Sequence, residues 1–484
     1  MLGRAILPSD MDTFDVIVIG AGAVGENAAA AAAAHGMSVV IVERELVGGE
    51  CSYWACMPSK ALLRPGKVVD AAGRVPGVGV NEGIDAGAAL DWRDQIASHW
   101  DDSSQVEWLD GVGVTLIRGT ARLAGPRRVE VQPETGSSQS LNATRAVVIA
   151  TGSRPRRPSI EGIDDVGIWT SRDATTASKV PGRLLIIGGG TVGVEMAQAW
   201  AWLGAEVTLI HNRDRLLDSE EPFVGDEIRT ALEESGVEVV TEGETRRLRR
   251  SDPEGTVTAS VDTPAGTLVL EADEVLVATG RAGRVEGLGL ESVGVEAPNG
   301  YISVNWHLQV EGPAGEWLYA VGDVNGRALL THSGKYQARI AGDHIGGVAS
   351  AAVAPVHATP RVIFTSPEVA AVGLTEAGAR ELGITVDTIS HDIAKTAGAT
   401  TLGQGYTGTA KLVIDTERQI LVGATFLGPG TGELLHSATI AIVAEVPLSQ
   451  LWHAVPSFPT LSEVWLRLLE NYREAGWDPY GSST

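Results

Sequence analysis

One arrangement in this chain constrains its fold more than any other, and it occurs twice. "DVIVIG" (15–20) is a short apolar run rich in β-branched residues. "AGAVGENAAAAAAAHG" (21–36) then turns through glycines into an alanine-rich helix, and "MSVVIVE" (37–43) is a second apolar strand. The same order returns at 183–210 as "RLLIIG", "GGTVGVEMAQAWAWLG" and "AEVTLI". Apolar strands without alternation, joined through a helix, belong to a parallel sheet covered on both faces. A repeat at this distance predicts two separate strand–loop–helix–strand units rather than a solenoid.

The glycine loops carry a specific chemistry. In "GAGAVG", Gly20, Gly22 and Gly25 form G-x-G-x-x-G between a strand and a helix. Glycine permits the tight turn and a close approach of backbone to a pyrophosphate, and the helix N-terminus offers unpaired N–H groups to its charge. Glu43 ends the second strand 18 residues after Gly25, where a carboxylate can accept from ribose hydroxyls. In "GGGTVG", Gly188, Gly190 and Gly193 repeat the pattern, but His211 holds the acidic position, with Arg213 and Arg215 close behind. Cationic groups there suit a 2′-phosphate, which favours NADPH and leaves NADH as the alternative. A solvated loop would carry the same arginines.

Size and charge narrow the classes further. At 484 residues the chain exceeds one ordinary core, and roughly two to four domains are expected. Hydrophobic residues at 44% and charged residues at 20% are a globular balance. Lys+Arg 37 against Asp+Glu 61 leaves a formal net charge of −24, which argues against nucleic acid or an anionic membrane as partner. No apolar run is long enough to span a bilayer, and the start lacks a secretory signal, so a cytoplasmic location is expected. Residues 1–11 read as a short extension with Met11 as an alternative start.

Both cysteines, Cys51 and Cys56, lie in "GGECSYWACMPSK" (48–60). Two cysteines in so long a chain are not a secreted-type framework, so a bridge between them would be catalytic rather than structural. On one regular helix their spacing is too wide for a bridge, which needs Cα atoms within about 7 Å. Pro58 fits only the first turn of a helix, so the helix should begin near Cys56, with Cys51 in an irregular segment before it. Cys56 would then sit where a helix N-terminus stabilises a thiolate. Two buried apolar thiols are the ordinary alternative.

The pattern G-G-x-C-x-x-x-x-C-x-P-S-K, following such a unit, resembles the redox-active signature of the FAD-dependent pyridine nucleotide–disulfide oxidoreductases, the family of lipoamide dehydrogenase, glutathione reductase and mercuric reductase. The resemblance runs nearly end to end. "YAVGDVNG" is similar to the family's second flavin motif, "ATGSRP" and "ATGRAG" to its two domain-junction motifs, and "RVIFTSPEVAAVGLTE" (361–376) to the opening of its dimerisation domain. The resemblance implies an α/β fold of two Rossmann-like dinucleotide-binding domains and a C-terminal α+β dimerisation domain. FAD binding would occupy 1–155 and 280–350, NAD(P)H binding 156–279, and dimerisation 351–484, in a homodimer.

By the same resemblance Cys51 is the interchange thiol and Cys56 the charge-transfer thiol. Lys60 would lie beside the flavin ring and Asp323 on its ribityl chain. Arg44, Gly49, Ala121, Thr151, Gly152, Glu195, Gly280 and Arg281 complete the candidate cofactor-binding residues. Electrons would pass from NAD(P)H through FAD to the Cys51–Cys56 disulfide and on to a small-molecule acceptor.

Near the C-terminus the pattern departs from the family. Its H-P-T-x-x-E motif places an acid–base histidine and an orienting glutamate, and "VPSFPTLSEVW" keeps Pro459, Thr460 and Glu463 but has Phe458 at the histidine position. Glu463 remains a catalytic candidate. His453, five residues earlier, is a stand-in or an ordinary surface histidine. A positioned acid–base typically contributes ~10²–10⁴-fold, so a non-standard acceptor is expected: an unusual disulfide, a metal ion, or a quinone reduced directly by the flavin. Mercuric reductases resemble one another in an extra C-terminal cysteine pair, which "NYREAGWDPYGSST" lacks. A dihydrolipoamide dehydrogenase is the alternative, and a flavin-based redox sensor is the reading from another class.

Overall fold

Strand β1 (Thr13–Ile19), helix α1 (Ala23–Ala33) and strand β2 (Val39–Glu43) form the first repeat in the computed structural model, which describes residues 13–80, 83–252, 255–354 and 358–480. β1 and β2 pair in parallel, Val16 opposite Val39 through Ile19 opposite Val42. β1 is buried from Val16 to Ile19 and β2 from Val39 to Val42, as their unalternating apolar runs require. Strand β3 (Val114–Arg118) pairs with β2 in parallel, and Gln139–Ile149 with β1 on the other side. Leu318–Ala320 adds to Gln139–Ile149 in parallel, while Arg128–Gln132 and Thr120–Leu123 extend the sheet antiparallel.

Helix α1 is built mostly of small residues, which lets the helix Thr331–Ile345 lie against it at backbone distance. A Cβ on Gly334 would stand 2.4 Å from Val24, and one on Gly342 would stand 2.4 Å from Ala31. The two helices therefore run in the same direction, with their N-terminal turns side by side.

The second repeat forms strands Arg183–Ile187 and Glu206–Ile210 around the helix Thr191–Trp202. They are the centre of a four-stranded parallel sheet that Glu238–Val240 and Glu274–Val277 complete. Glu244–Arg250, Val257–Thr263 and Gly266–Ala272 form a separate antiparallel sheet. Toward the C-terminus a five-stranded antiparallel sheet runs Arg361–Ile363, Glu368–Gly373, Ile420–Gly428, Thr409–Asp415, Val386–Asp392, with Ile420–Gly428 buried along its whole length.

The fold is thus the expected α/β class, with two dinucleotide-type sheets and a C-terminal α+β region. Two compact units divide the described residues: one from 13–58, Asp94–Arg156 and Gly280–Val353, the other from Ser59–Arg93, Arg157–Thr279 and 354–480. The extension read at residues 1–11 lies outside the described residues. Among the described residues no helix is long and apolar enough to cross a membrane.

Trp200 is the largest fully buried side chain of the second unit's core, with its ring 5.9 Å from that of Trp169. Trp200→Ala should lower stability by about 3–5 kcal/mol, because neighbours on a sheet and a helix cannot collapse into the space. Urea denaturation followed by far-UV circular dichroism checks this; a loss below about 1 kcal/mol would show that the core relaxes around the gap.

Candidate active site

The cysteines lie on two consecutive short segments. Helix α2 (Gly49–Tyr53) carries Cys51, the chain breaks at Trp54 and Ala55, and helix α3 (Cys56–Gly73) starts on Cys56 itself. Pro58 is in the first turn of α3, as expected. Cys51 differs from its expectation: it sits in a helical turn, not an irregular segment. The N–H groups of Trp54 and Ala55 both donate to the carbonyl of Glu50, which closes α2 and resets the direction of the chain.

That break brings the two side chains together. Both cysteines are half-buried thiols. Cys56 Sγ lies 3.4 Å from the hydroxyl of Thr331, the first residue of the helix Thr331–Ile345. Cys51 is hydrogen-bonded to Cys56, and that bond together with burial holds its thiol well above the ordinary range. Thr331 and the ammonium of Lys335 pull in the opposite direction. The arrangement keeps a proton on Cys51 while Cys56 occupies the first turn of a helix, where negative charge is favoured.

The loop before α1 is a cradle that a side chain would fill. Gly20 has φ +98°, and a Cβ on Gly25 would stand 1.9 Å from the carbonyl oxygen of Gly20. Gly22 forms a bridge with Gly48, and a Cβ on Gly49 would stand 2.7 Å from Gly22 Cα. Gly22 caps α1 with no side-chain hydrogen bond, so the first-turn amides face outward without a protein cap. Glu43 accepts from Ala21 N–H at 2.6 Å and from Glu45 N–H at 2.8 Å, which fixes its carboxylate against the loop. These features fit a dinucleotide's pyrophosphate and ribose. Arg44 is half-exposed, 3.7 Å from Glu45, and Ala121 is buried in its strand.

Around Ser153 the structure gathers a second group of candidates. The Ser153 hydroxyl donates to Asp323, and Arg281 Nε donates to that hydroxyl at 2.7 Å. Arg281 and Arg284 both donate to the carbonyl of Ser153, and Arg284 also pairs with Glu50 at 3.0 Å. Thr151 donates to the carbonyl of Arg284, while Gly152 and Gly280 have φ +72° and +107°. Burial pushes Asp323 up, with Ser153 and Arg281 opposing. Sequence reasoning missed Ser153, which lies inside the quoted "ATGSRP", and Arg284, which directly follows "ATGRAG". It also missed Thr331, which no motif marks.

In the second unit Lys60 and Glu195, candidates for separate reasons, form an ion pair of 2.8 Å. Glu195 is buried and also accepts the N–H of Phe364, whose ring lies 4.7 Å from the Lys60 ammonium. Gly188 has φ +118°, and a Cβ on Gly193 would meet its carbonyl oxygen at 1.8 Å. Gly190 caps the following helix without a side-chain hydrogen bond. His211 does for this loop what Glu43 does for the first: its Nδ1 accepts Gly189 N–H at 3.2 Å. Nε2 is therefore the protonated nitrogen, and burial, with Arg213 adding to it, keeps the ring's pKa low. Arg213 is exposed and Arg215 half-buried, 4.0 Å from Asp218 and 3.9 Å from Asp214 respectively.

At the C-terminus, Glu463 is buried and both its oxygens are engaged, one by Ala397 N–H at 3.0 Å and one by Arg467 at 2.6 Å. Phe458 is 74% exposed. His453 is exposed, with Tyr480 its ring neighbour at 6.4 Å.

Comparison with known proteins accords with this geometry. Residues 14–354 match the model of the pyridine nucleotide-disulphide oxidoreductase family, and residues 359–468 match that family's dimerisation domain. A dihydrolipoyl dehydrogenase of Thermus scotoductus is 35% identical over 94% of this chain and 96% of its own. A mercuric reductase of Streptomyces lividans is 35% identical over 91% of this chain and 93% of its own. The solved Cu(II) complex of the HOCl-induced flavoprotein disulfide reductase RclA from Escherichia coli shares the fold. Its TM-score is 0.81 at 24% identity, covering 95% of this chain and 100% of that one. The chain belongs to the pyridine nucleotide–disulphide oxidoreductases, a family of FAD-dependent enzymes that use pyridine nucleotides.

Asp323 gives a test by pH. Its folded pKa is raised, so ionisation opposes folding; the effect is present above the folded value and vanishes below the unfolded one. Asp323→Asn should therefore raise the thermal midpoint of the flavin-free protein at pH 7 and leave it unchanged near pH 3.5, while flavin content after purification falls. A lower midpoint at pH 7 would mean that the Ser153–Asp323 bond outweighs burial.

Proposed function

We propose that this pyridine nucleotide–disulphide oxidoreductase takes electrons from NADPH in preference to NADH and delivers them to a non-standard small-molecule acceptor: through Cys51 and Cys56 to an unusual disulfide or a metal ion, or directly from the flavin to a quinone. One observation carries the reading. Cys51 and Cys56 are hydrogen-bonded at the start of α3, while the position that supplies an acid–base in the family's motif holds an exposed phenylalanine.

Bound FAD, held by the Gly20–Gly25 loop, Glu43 and Asp323, would supply the two-electron exchange that no side chain performs. The chain's own residues do the rest. Cys56 holds negative charge at the helix start, with the Thr331 hydroxyl at 3.4 Å to solvate its sulfur. Cys51, protonated and half-exposed, is the thiol presented to an acceptor, where it forms and releases a mixed disulfide or a metal thiolate. A quinone would be reduced without either thiol. Lys60, fixed by Glu195, keeps a cation on α3.

Support for NADPH comes from His211, which occupies the acidic position without a carboxylate's charge and accepts Gly189 N–H, and from Arg213 and Arg215 beyond it. The dimerisation-domain match supports a homodimer. Relatives that are dihydrolipoyl dehydrogenases support the second reading, an enzyme acting on dihydrolipoamide. Glu463 speaks against it, because its carboxylate is already committed to Ala397 and Arg467.

Anaerobic titration with NADPH, and separately NADH, tests the electron path. A long-wavelength thiolate-to-flavin band at two electrons is expected, and direct bleaching of the flavin without it would mean that the disulfide is bypassed. Cys51→Ser should abolish reduction of disulfides and metal ions and spare reduction of quinones. Phe458→His separates the two readings: a rise in dihydrolipoamide turnover of about 10²-fold is expected. Wild-type turnover already at the variant's level would favour the dehydrogenase.

A further inference from the structure

Helix α2, which carries Cys51, is only five residues long. A helix so short does not hold itself in place in water, and its N-cap, Gly48, has φ +106° and gives no side-chain hydrogen bond. The position of Cys51 therefore depends on what grips α2 from outside. One stretch that the mechanism above does not use, 98–105, grips it at both ends.

At the far end of the helix, Trp100 Nε1 donates to the carbonyl of Tyr53, the last residue of α2, at 3.2 Å. Tyr53 is buried, and its hydroxyl lies 3.0 Å from Gln105 Oε1 and 3.4 Å from the carbonyl of Asp101. Burial, with Asp102 next, pushes that phenol up to about 12, so it stays a donor. Ahead of the helix, Val47 N–H donates to Asp102 Oδ2 at 2.7 Å. Asp102 is paired with Arg118 at 2.5 Å, and Arg118 in turn donates to the carbonyl of Glu45. These bonds fasten the chain at Glu45, Val47 and Tyr53, and so bracket Cys51.

The stretch adopts an uncommon backbone where it makes these contacts. Ser98, His99 and Trp100 have φ +50°, +50° and +56°, three consecutive non-glycine residues in the left-handed region. Trp100 N–H donates to the carbonyl of Ala97, and Asp101 N–H to that of Ser98, each at 2.9 Å, which closes the turn. L-residues enter that region at a cost and as single residues rather than in runs. Such a turn persists where its surroundings over-determine it, and here the indole that leaves the turn is bonded to the end of α2.

We propose that 98–105 is a splint for Cys51. Trp100 and Asp102 hold α2 so that the Cys51 thiol stays within bonding reach of Cys56, and they thereby set how readily the Cys51–Cys56 disulfide closes. Both act through α2 and are positioning residues. A thiol held beside its partner bonds at a high effective concentration, and one on a loose segment does not. Loosening α2 therefore makes the disulfide easier to reduce. The proposal rests on the reading of the two cysteines as the redox pair.

The test uses the FAD-loaded full chain, equilibrated anaerobically in mixtures of reduced and oxidised dithiothreitol. Closing the bridge moves two electrons and two protons from the thiols of Cys51 and Cys56 to oxidised dithiothreitol, whose own S–S bond opens to two thiols. Remaining thiols are trapped with a maleimide and counted by peptide mass spectrometry. Trp100→Phe, which keeps a ring and loses the N–H, should lower the equilibrium constant for closure about tenfold, a rise in potential of about 30 mV. Asp102→Ala should lower it similarly, whereas Asp102→Asn, which keeps an acceptor for Val47 N–H, should stay with the wild type. Flavin content and the thermal midpoint report whether each variant folds; a purely structural role would lower the midpoint without moving the potential. A closure constant unchanged or raised in either Trp100→Phe or Asp102→Ala overturns the proposal, and so does an Asp102→Asn constant as low as that of Asp102→Ala. If the wild type closes no bridge while iodoacetamide alkylates Cys51 faster in Trp100→Phe than in the wild type, the electron path falls and the splint stands.

Discussion

The contact on which both dinucleotide-type sheets depend is one no side chain could survive. A Cβ on Gly25 would stand 1.9 Å from the carbonyl oxygen of Gly20, and one on Gly193 would stand 1.8 Å from that of Gly188. Each helix therefore starts almost in contact with the strand that feeds it, and its first amides point across the end of the sheet. The residue closing the next strand then completes the loop: Glu43 takes Ala21 N–H, and His211 takes Gly189 N–H. One backbone geometry is held in place by a carboxylate in one case and by a neutral imidazole in the other.

What could be read beforehand divides along that line. The strand–loop–helix–strand units were legible because close packing leaves its record in composition: glycines at fixed spacing, alanines on α1, unalternating apolar strands. The start of α3 was legible because Pro58 tolerates few positions. The helical turn around Cys51 was not, since α2 is held by two N–H groups converging on the Glu50 carbonyl, a backbone event that side chains do not announce. Thr331, Ser153 and Arg284 were also silent. Their roles come from segments far apart in the chain meeting, as in the bond between Ser153 and Asp323. The partnership of Lys60 with Glu195 is the same kind of fact: each residue was picked out alone, and only the fold pairs them.

Glu463 shows how a motif can persist while the local chemistry differs. Its position matches the family pattern, yet its carboxylate ties the N–H of Ala397 and the side chain of Arg467 to the start of the last helix. A buried acid with two good partners resists substitution whether or not a histidine stands nearby, because removing it would leave the Ala397 amide unpaired and Arg467 with Glu470 alone. Retention of such a glutamate is therefore weak testimony about proton transfer. The exposed Phe458 is stronger testimony, since an aromatic ring has no proton to give and this one is not needed to fill a core.

The electrostatics of the thiols follow in large part from packing. Small residues on α1 allow Thr331–Ile345 to approach, and the two helices then begin at the same level. Cys56 begins a third helix within 3.4 Å of Thr331. Two helix starts meet at the sulfur atoms, with a third, that of α1, alongside, and each is the end that favours negative charge. Removing Gly334 or Gly342 would push that arrangement apart long before it touched a cysteine. In this chain the glycine and alanine content that specifies the fold also sets the field around the two sulfur atoms.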